Sequence, residues 1–203
     1  MDKRKKRALI FAVSSVVLAI VCGISLLLIS FFEGKEEKKP TNMYSDELHS
    51  YIFYEPDYDL DVTTVDEYME LDRLLYYKNG AEEYGIDGDA EKYGADIVFF
   101  QKYFEIVIEG RWEEYNELFT DHYYETNEKK NRFAPQMIYD MHIEKLWEKD
   151  ETEDRLAFNV SYRIYKNNGT FRNDIDSGAS KVLYFELVIE NGEYKIDRIT
   201  YYI

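Results

Sequence analysis

The sequence has a single cysteine, Cys22, among its 203 residues. Cys22 lies inside an apolar run, so the rest of the chain has no thiol for a disulfide bond, a thiolate zinc site or a cysteine nucleophile. Small secreted eukaryotic domains usually depend on disulfides. An exported domain without cysteine therefore indicates a bacterial cell surface, and the composition favours a Gram-positive cell.

Basic residues are also few. The chain has 25 Lys and Arg against 41 Asp and Glu, and five of the basic residues form one cluster, Lys3 to Arg7. Residues 8–203 therefore carry 20 basic and 40 acidic side chains, a net charge of −20. Binding to nucleic acid, anionic lipid or anionic wall polymer needs a cationic surface. The sequence thus argues against a nucleic-acid partner and indicates a solubilising acidic surface.

Residues 8–32 form an apolar run without one charge. As a helix this run is about 37 Å long, enough to cross a hydrocarbon core of about 30 Å with some tilt. The basic cluster in front predicts a cytoplasmic tail, residues 1–7, and export of the chain after the span. The run is too long for a cleaved signal peptide, and Val21 does not fit a lipoprotein signal. We therefore predict an uncleaved, single-pass anchor in the cell membrane, with small residues at Ser15, Ala19 and Gly23 that are compatible with a homodimer.

The stretch after the span is predicted to be a charged tether over 33–43 and an acidic, Tyr-rich helical extension over 44–95. Thr64 and Glu67 fit a capping box, and the helix that they open is predicted to run through Leu71, Leu74 and Leu75 and to end at Asn79-Gly80. The three glycines between residues 84 and 94 predict a loop.

A strongly apolar helix is predicted over 97–109, capped by Asp96 and ended by Gly110. Its apolar residues exceed a one-sided stripe, so we expect burial on more than one face. A short helix over 112–119 follows. Pro135 predicts the first turn of a further short helix that ends near Asp140.

Apolar and polar residues then alternate, which predicts strands with one inward face. The inward residues are expected to be Met141, Ile143, Trp147, Leu156, Phe158, Val160, Tyr162, Ile164, Leu183, Phe185, Leu187 and Ile189. The apolar helix is expected to cover this face, with Phe104 at the contact and Glu186 on the opposite face. Asn191-Gly192 predicts a two-residue hairpin, and a slip near Asp197-Arg198 predicts a bulge.

Two stretches resemble a known family. Phe104, Gly110-Arg111-Trp112, Tyr115 and Leu118-Phe119 resemble the opening long helix, glycine and short helix of nuclear-transport-factor-2-like domains. Glu190 to Ile199 resembles their closing hairpin, and the likeness spans about residues 96–203. The predicted fold is thus α+β: an N-terminal transmembrane helix, then helices packed on a curved antiparallel sheet of about four strands.

The resemblance also implies a cone with an apolar cavity. The side chains that we expect to line the cavity are Phe100, Phe104, Trp112, Phe158 and Phe185. Members of the family include isomerases, dehydratases and non-catalytic binding modules, so the fold alone does not decide the function.

Catalytic, cofactor and metal residues are not assigned. The acids of the family's catalysts have no match here, and the three histidines, His49, His122 and His142, are not expected to be catalytic. Two acidic repeats begin like calcium loops at Asp57 and Asp87, but Val62 and Lys92 stand where the loop needs glycine. The pair Asp174 and Asp176, in a predicted hairpin loop, has too few neighbouring carboxylates.

The predicted function is a membrane-anchored, extracytoplasmic binding or assembly module without catalytic activity, for a protein partner or a small apolar ligand. One alternative is a conjugation or type IV secretion channel subunit, because some of these share the short tail, single span and fold. The other is a cavity enzyme of the ketosteroid isomerase type. Relaxase and secretion ATPase genes nearby would favour the channel subunit, and a cavity carboxylate with a raised pKa would favour the enzyme.

The predicted topology can be tested with a reporter fused after Ile203. The reporter is expected to be active only outside the cytoplasm, and a tag at the N-terminus should stay in the membrane fraction. Release of a shortened, soluble form from intact cells would contradict the uncleaved anchor.

Overall fold

The computed structural model describes residues 42–45, 50–147 and 155–201. The predicted cytoplasmic tail and transmembrane helix, and the tether up to residue 41, lie outside the described residues. None of the helices in the described part is long and apolar enough to cross a membrane. The anchor is therefore supported by the sequence alone.

Eight strands and four short or medium helices make up the described chain. The strands are β1 (Asn42–Ser45), β2 (Ser50–Phe53), β3 (Leu75–Asn79), β4 (Glu82–Ile86), β5 (Met137–Leu146), β6 (Arg155–Tyr165), β7 (Leu183–Glu190) and β8 (Glu193–Tyr201). The helices are α1 (Asp66–Met69), α2 (Ala95–Ile108), α3 (Trp112–Glu117) and α4 (Asp121–Tyr124). Two 3-10 turns, Val62–Thr64 and Ala90–Lys92, precede α1 and α2.

Six of these strands form one mixed sheet in the order β4-β3-β5-β6-β7-β8. Every neighbouring pair is antiparallel except β3 and β5, which run parallel. Strands β1 and β2 pair separately as an antiparallel hairpin. The α+β class is as predicted, but the expectation of about four antiparallel strands is wrong, because β3 and β4 add two strands and a parallel pairing.

Helix α2 packs against the sheet through aromatic side chains. Phe100 is fully buried, and its ring meets Phe158 and Phe185 edge-on at centroid distances of 4.9 and 5.8 Å. Phe104 is buried as well and meets Tyr162 at 5.7 Å. Edge-to-face pairs contribute about 0.5–1.5 kcal/mol each beyond the burial of their surface. The predicted packing of this helix on the strand faces is confirmed.

The ends of α2 differ slightly from the prediction. The N-cap residue is Gly94, and Asp96 lies buried in the first turn, where its carboxylate accepts a hydrogen bond from the Ile97 N–H at 3.1 Å. The last helical residue is Ile108, and Gly110 follows with the left-handed φ of +70° expected of the glycine that stops the helix. Helix α3 follows at Trp112 and ends at Glu117, two residues before the predicted end.

The closing hairpin follows the sequence signals. Asn191 and Gly192 connect β7 to β8 with φ values of 54° and 84°, the left-handed pair of a type I′ turn. Glu186 pairs with Arg198 and Leu187 pairs with Ile196, so Asp197 is the extra residue of a bulge. Both predictions are confirmed.

The helix predicted from Thr64 to Asn79 is wrong. Thr64 does not cap it, because its hydroxyl donates to the Asp61 carbonyl, and α1 has only four residues. Leu75–Asn79 is strand β3, which buries Leu75 and Tyr77 between β4 and β5. The leucine spacing fits a helix, but pairing on both sides of β3 outweighs it. The segment 44–95 is thus not a helical extension, since β3 and β4 belong to the same sheet as the rest.

Two further local predictions are wrong. The expected 84–94 loop overlaps strand β4, which includes the first of its three glycines. Strand β4 pairs with β3 through a turn at Gly80 and Ala81. Pro135 opens no helix: its neighbour Gln136 donates to the Ile108 carbonyl, and β5 starts at Met137. Asp140 has φ +53° and sits where the β5–β6 register shifts, so the expected helix end is a bulge within a strand.

The prediction of which strand residues are buried also needs correction. The alternating residues of β6 are buried as predicted, but Trp147 is 68% exposed, since β5 ends at Leu146. Ile189 is 40% exposed near the end of the hairpin. Glu186, expected on a solvent face, is buried and forms an ion pair with Arg155. The opposite face of β7 is therefore covered in part.

Replacing Phe100 by Ala is expected to destabilise the full-length chain by about 3–5 kcal/mol, because it leaves a cavity among three rings. Glu105→Ala changes an exposed position of the same helix and serves as the control. Urea unfolding followed by circular dichroism measures both. Equal stability of the two variants would contradict the packing of α2 on the sheet.

Gly110→Ala is expected to destabilise more than Gly80→Ala. Both positions have left-handed φ values, +70° and +63°, and strain an alanine by about 1–2 kcal/mol. Only at Gly110 would the new Cβ meet backbone, 2.8 Å from the Pro135 nitrogen. Melting temperatures of the two variants measure the difference, and equal values would show that the Gly110–Pro135 contact relaxes without cost.

Candidate functional site: a tyrosine-lined cavity with two cations

A cavity of about 260 Å³ lies between the helices and the C-terminal part of the sheet. Helices α2, α3 and α4, the loop after α4, strands β6 to β8 and the β6–β7 loop all contribute to its wall. Its lining residues are Tyr103, Tyr115, Asn116, Phe119, Tyr123, Tyr124, Glu128, Lys130, Tyr162, Phe171, Arg172, Asn173, Asp174, Leu183, Ile199, Thr200 and Tyr201. Glu128, Asn173 and Tyr201 are exposed, so the cavity is reached from solvent.

The residues predicted to line a cavity do not line this one. Phe100, Phe104, Phe158 and Phe185 are buried in the core between α2 and the sheet. Trp112 is half-buried and borders a neighbouring surface depression beside Glu113. The aromatic residues around the cavity are tyrosines and two other phenylalanines, Phe119 and Phe171.

Arg172 and Asp174 form the most tightly bonded charged pair at the wall. The Arg172 guanidinium donates from Nε to one Asp174 oxygen at 2.5 Å and from Nη2 to the other at 2.8 Å. Its Nη1 donates to the Tyr162 hydroxyl at 3.1 Å, and the Tyr201 hydroxyl donates to Asp174 at 2.7 Å. This paired geometry fixes the Arg172 side chain, which is mostly buried.

The Asp174 carboxylate is held in its ionised form. Burial opposes ionisation, but the hydrogen bonds and charge of Arg172, with smaller effects of Tyr201 and Lys181, outweigh it and lower the pKa to about 2. Asp174 is therefore negatively charged at neutral pH, and it neutralises the charge of Arg172.

Three phenols form the inner end of the cavity. The Tyr103 hydroxyl shares hydrogen bonds with Tyr162 and Tyr115, and burial raises the pKa of Tyr103 and Tyr115 well above 10. Tyr103 and Tyr115 therefore stay protonated at any physiological pH. They join the core to Arg172 through Tyr162.

Lys130 provides the second cation. Its Nζ lies 5.5 Å from the centre of the Phe171 ring. Burial lowers the pKa of Lys130, the Arg172 charge lowers it further, and Asp174 raises it by charge alone, without a hydrogen bond. In the described part of the chain, no carboxylate pairs with this ammonium group.

Two asparagines hold the loops that carry these cations. The buried Asn167 donates from Nδ2 to the carbonyls of Arg172 and Ile175, at 3.0 and 2.9 Å. Asn116 exchanges two hydrogen bonds of 2.8 Å with the Lys130 backbone. Because buried loop backbone needs such partners, each asparagine fixes the position of one cation.

The histidines lie elsewhere. His122 is exposed, and its Nδ1 lies 3.0 Å from an Asp197 oxygen that also accepts from Thr120. Burial opposes ionisation of Asp197, but the hydrogen bonds from Thr120 and His122 outweigh it and lower its pKa. His142 stacks on Tyr76 and lies 3.1 Å from Asp140. Neither histidine lines the cavity, and His49 lies outside the described residues.

The acidic repeats do not come together as a cation site. Asp61 instead caps the 3-10 turn by accepting from the Thr63 N–H at 3.0 Å, and Asp89 pairs with Lys92. Among the described residues, no group of three or more potential metal ligands is assembled.

No sequence pattern points directly to Lys130, Arg172 or Asn167. Tyr162 was predicted to face inward and does, but its partner Arg172 lies in a loop without periodicity. Arg172 is flanked by Phe171 and followed by Asp174. An aromatic residue beside opposite charges in one loop is the one local pattern that could have indicated a binding site here.

Comparisons of the chain with protein-family models, with curated proteins and with solved structures find no significant match. The site is therefore interpreted from its own residues.

Asp174→Asn is expected to destabilise the chain by about 1.5–3 kcal/mol at neutral pH, the usual contribution of a hydrogen bond to a charged group. Asp174 has a folded pKa of about 2 against an ordinary 3.8, so its contribution is present above about pH 4 and is lost as the pH falls towards 2. The variant should lose this part of the pH dependence. Thermal unfolding between pH 7 and pH 2 measures both effects.

Asp87→Asn is the matched control, because Asp87 is an exposed carboxylate in the loop after β4. It is expected to leave both the stability and its pH dependence near wild type. If Asp174→Asn behaved in the same way, the pair with Arg172 would not stabilise the site.

Proposed function

We propose that the chain is a membrane-anchored, extracytoplasmic binding module and that the tyrosine-lined cavity holds its ligand. The observation that carries the proposal is the cavity itself, which combines aromatic walls with a few converging polar groups. Small-molecule sites have this composition: they are concave, largely apolar and orient the ligand through a small number of polar side chains. The anchor is supported by the apolar run over 8–32 and the basic cluster before it.

A nuclear-transport-factor-2-like fold remains part of the proposal. A long apolar helix, Gly110 and a short helix precede strands β5 to β8, and a hairpin at Asn191-Gly192 closes the sheet. These elements stand in the order that the resemblance implies. They support a binding role only in combination with the cavity, because one fold hosts many functions.

The pKa of Asp174 and the exposure of Glu128 favour a binding function over catalysis in the cavity. A general acid or base needs a pKa near the working pH. Asp174 has a pKa of about 2, the opposite direction from that expected of a catalytic acid, and Glu128 is exposed at the rim. The tyrosines Tyr103 and Tyr115 can donate hydrogen bonds, but their raised pKa keeps them from acting as bases.

The proposal is tested by screening small aromatic fragments against the full-length chain in detergent, with saturation-transfer NMR as the readout. Fragments that compete for one site are expected. Thr200→Trp places a large ring at the exposed strand position beside the cavity and should weaken that binding, because the ring occupies the entrance.

Arg198→Trp is the control, since Arg198 is exposed on the same strand but does not line the cavity. It should leave fragment binding unchanged. If both variants weakened fragment binding equally, or if neither did, the cavity would not be the ligand site.

A further inference from the structure

We propose that the ligand of this cavity is a small organic carboxylate with an apolar or aromatic body, bound with the Lys130 ammonium as its counterion. This inference rests on the proposed function, because it names the ligand class of the same cavity.

The first argument is the distribution of charge within the cavity. Arg172 is neutralised by two hydrogen bonds to Asp174, whereas the Lys130 ammonium lies over the ring of Phe171 and pairs with no carboxylate among the described residues. A partly buried ammonium group without a carboxylate partner is costly, and an anion that enters the cavity removes that cost. Burial and then the charge of Arg172 lower the pKa of Lys130, and the charge of Asp174 only partly offsets them.

The second argument is the supply of hydrogen-bond donors. Within the described residues, the Tyr123 hydroxyl has no protein partner, and the Arg172 guanidinium has more N–H groups than the three that it uses. Burial raises the pKa of Tyr123, so the phenol stays protonated and can donate. An ammonium, a phenol and a guanidinium edge are donors that match the oxygens of one carboxylate.

The third argument concerns the body of the ligand. Tyr115, Phe119 and Phe171 form an aromatic wall in which neighbouring rings lie 5.0–5.5 Å apart, and Leu183 and Ile199 add aliphatic surface. An apolar cavity of about 150 Å³ can bind benzene. The 260 Å³ here therefore has room for one or two fused rings together with an acid group.

The class of anion follows from two restrictions. Phosphate is recognised best by a free guanidinium fork or a cluster of backbone N–H groups, and the Arg172 fork is already occupied by Asp174. Large polyanions are disfavoured by the net charge of −20 on residues 8–203. A small monoanion can neutralise the Lys130 ammonium. It needs no free guanidinium fork, and it is repelled less than a polyanion by the acidic surface.

The test compares matched probes on the full-length chain in detergent by isothermal titration calorimetry. The probes are 1-naphthoate, its neutral analogue 1-naphthamide and inorganic phosphate. Lys130→Gln is expected to weaken 1-naphthoate binding by at least about tenfold, the effect of losing a charged hydrogen bond, and to leave 1-naphthamide unchanged. Lys129→Gln, a neighbouring exposed lysine that does not line the cavity, should bind 1-naphthoate as wild type does.

The possible failures are distinguishable. Equal affinity for the carboxylate and the amide, or tighter binding of phosphate, would overturn the ligand class and leave the cavity as a ligand site. Unchanged carboxylate binding in Lys130→Gln would overturn the role of Lys130. If none of the probes and fragments bound at millimolar concentration, the proposed function would fail as well.

Discussion

The contact between Phe100 of α2 and the rings of Phe158 and Phe185 is the interaction on which the described fold depends. It joins the helix to two neighbouring central strands, β6 and β7, and all three rings are fully buried. Strands β5 and β8 extend the sheet on either side of that pair. The same contact explains why these phenylalanines do not line the tyrosine-lined cavity: the helix and the sheet approach until the aromatic side chains between them pack together.

The parts of the fold that could be predicted from the sequence have local sequence patterns, and each of these patterns is compatible with one structure only. Helix α2 has too many apolar residues for any surface position, and Asn191-Gly192 has the backbone preference of a two-residue hairpin. Strand β3 was missed because Leu71, Leu74 and Leu75 fit a helix, and only pairing with β4 and β5 decides against it. The burial of Glu186 was missed for the same reason, because its partner Arg155 lies on another strand.

The candidate site was harder to predict than the fold, because its residues meet only after folding. Lys130 and Arg172 are 42 positions apart and stand in segments without periodicity. Each depends on an asparagine that satisfies buried loop backbone, Asn116 for Lys130 and Asn167 for Arg172. No local pattern distinguishes such an asparagine from an ordinary turn residue, so three-dimensional contacts are needed to identify it.

Tyr103 and Tyr162 connect the core to the cavity and decide how rigid the site is. The Tyr103 ring packs edge-on against Phe185 at 5.5 Å, while its hydroxyl takes part in the hydrogen bonds that lead through Tyr162 to Arg172. Tyr162 likewise packs on Phe104 and accepts from Arg172. Because these rings are fixed by the same packing that holds α2 on the sheet, the donors around the cavity are positioned before a ligand enters. A ligand of the proposed class would then bind without the entropic cost of ordering those side chains, which is the condition under which a small cavity can hold a small molecule selectively.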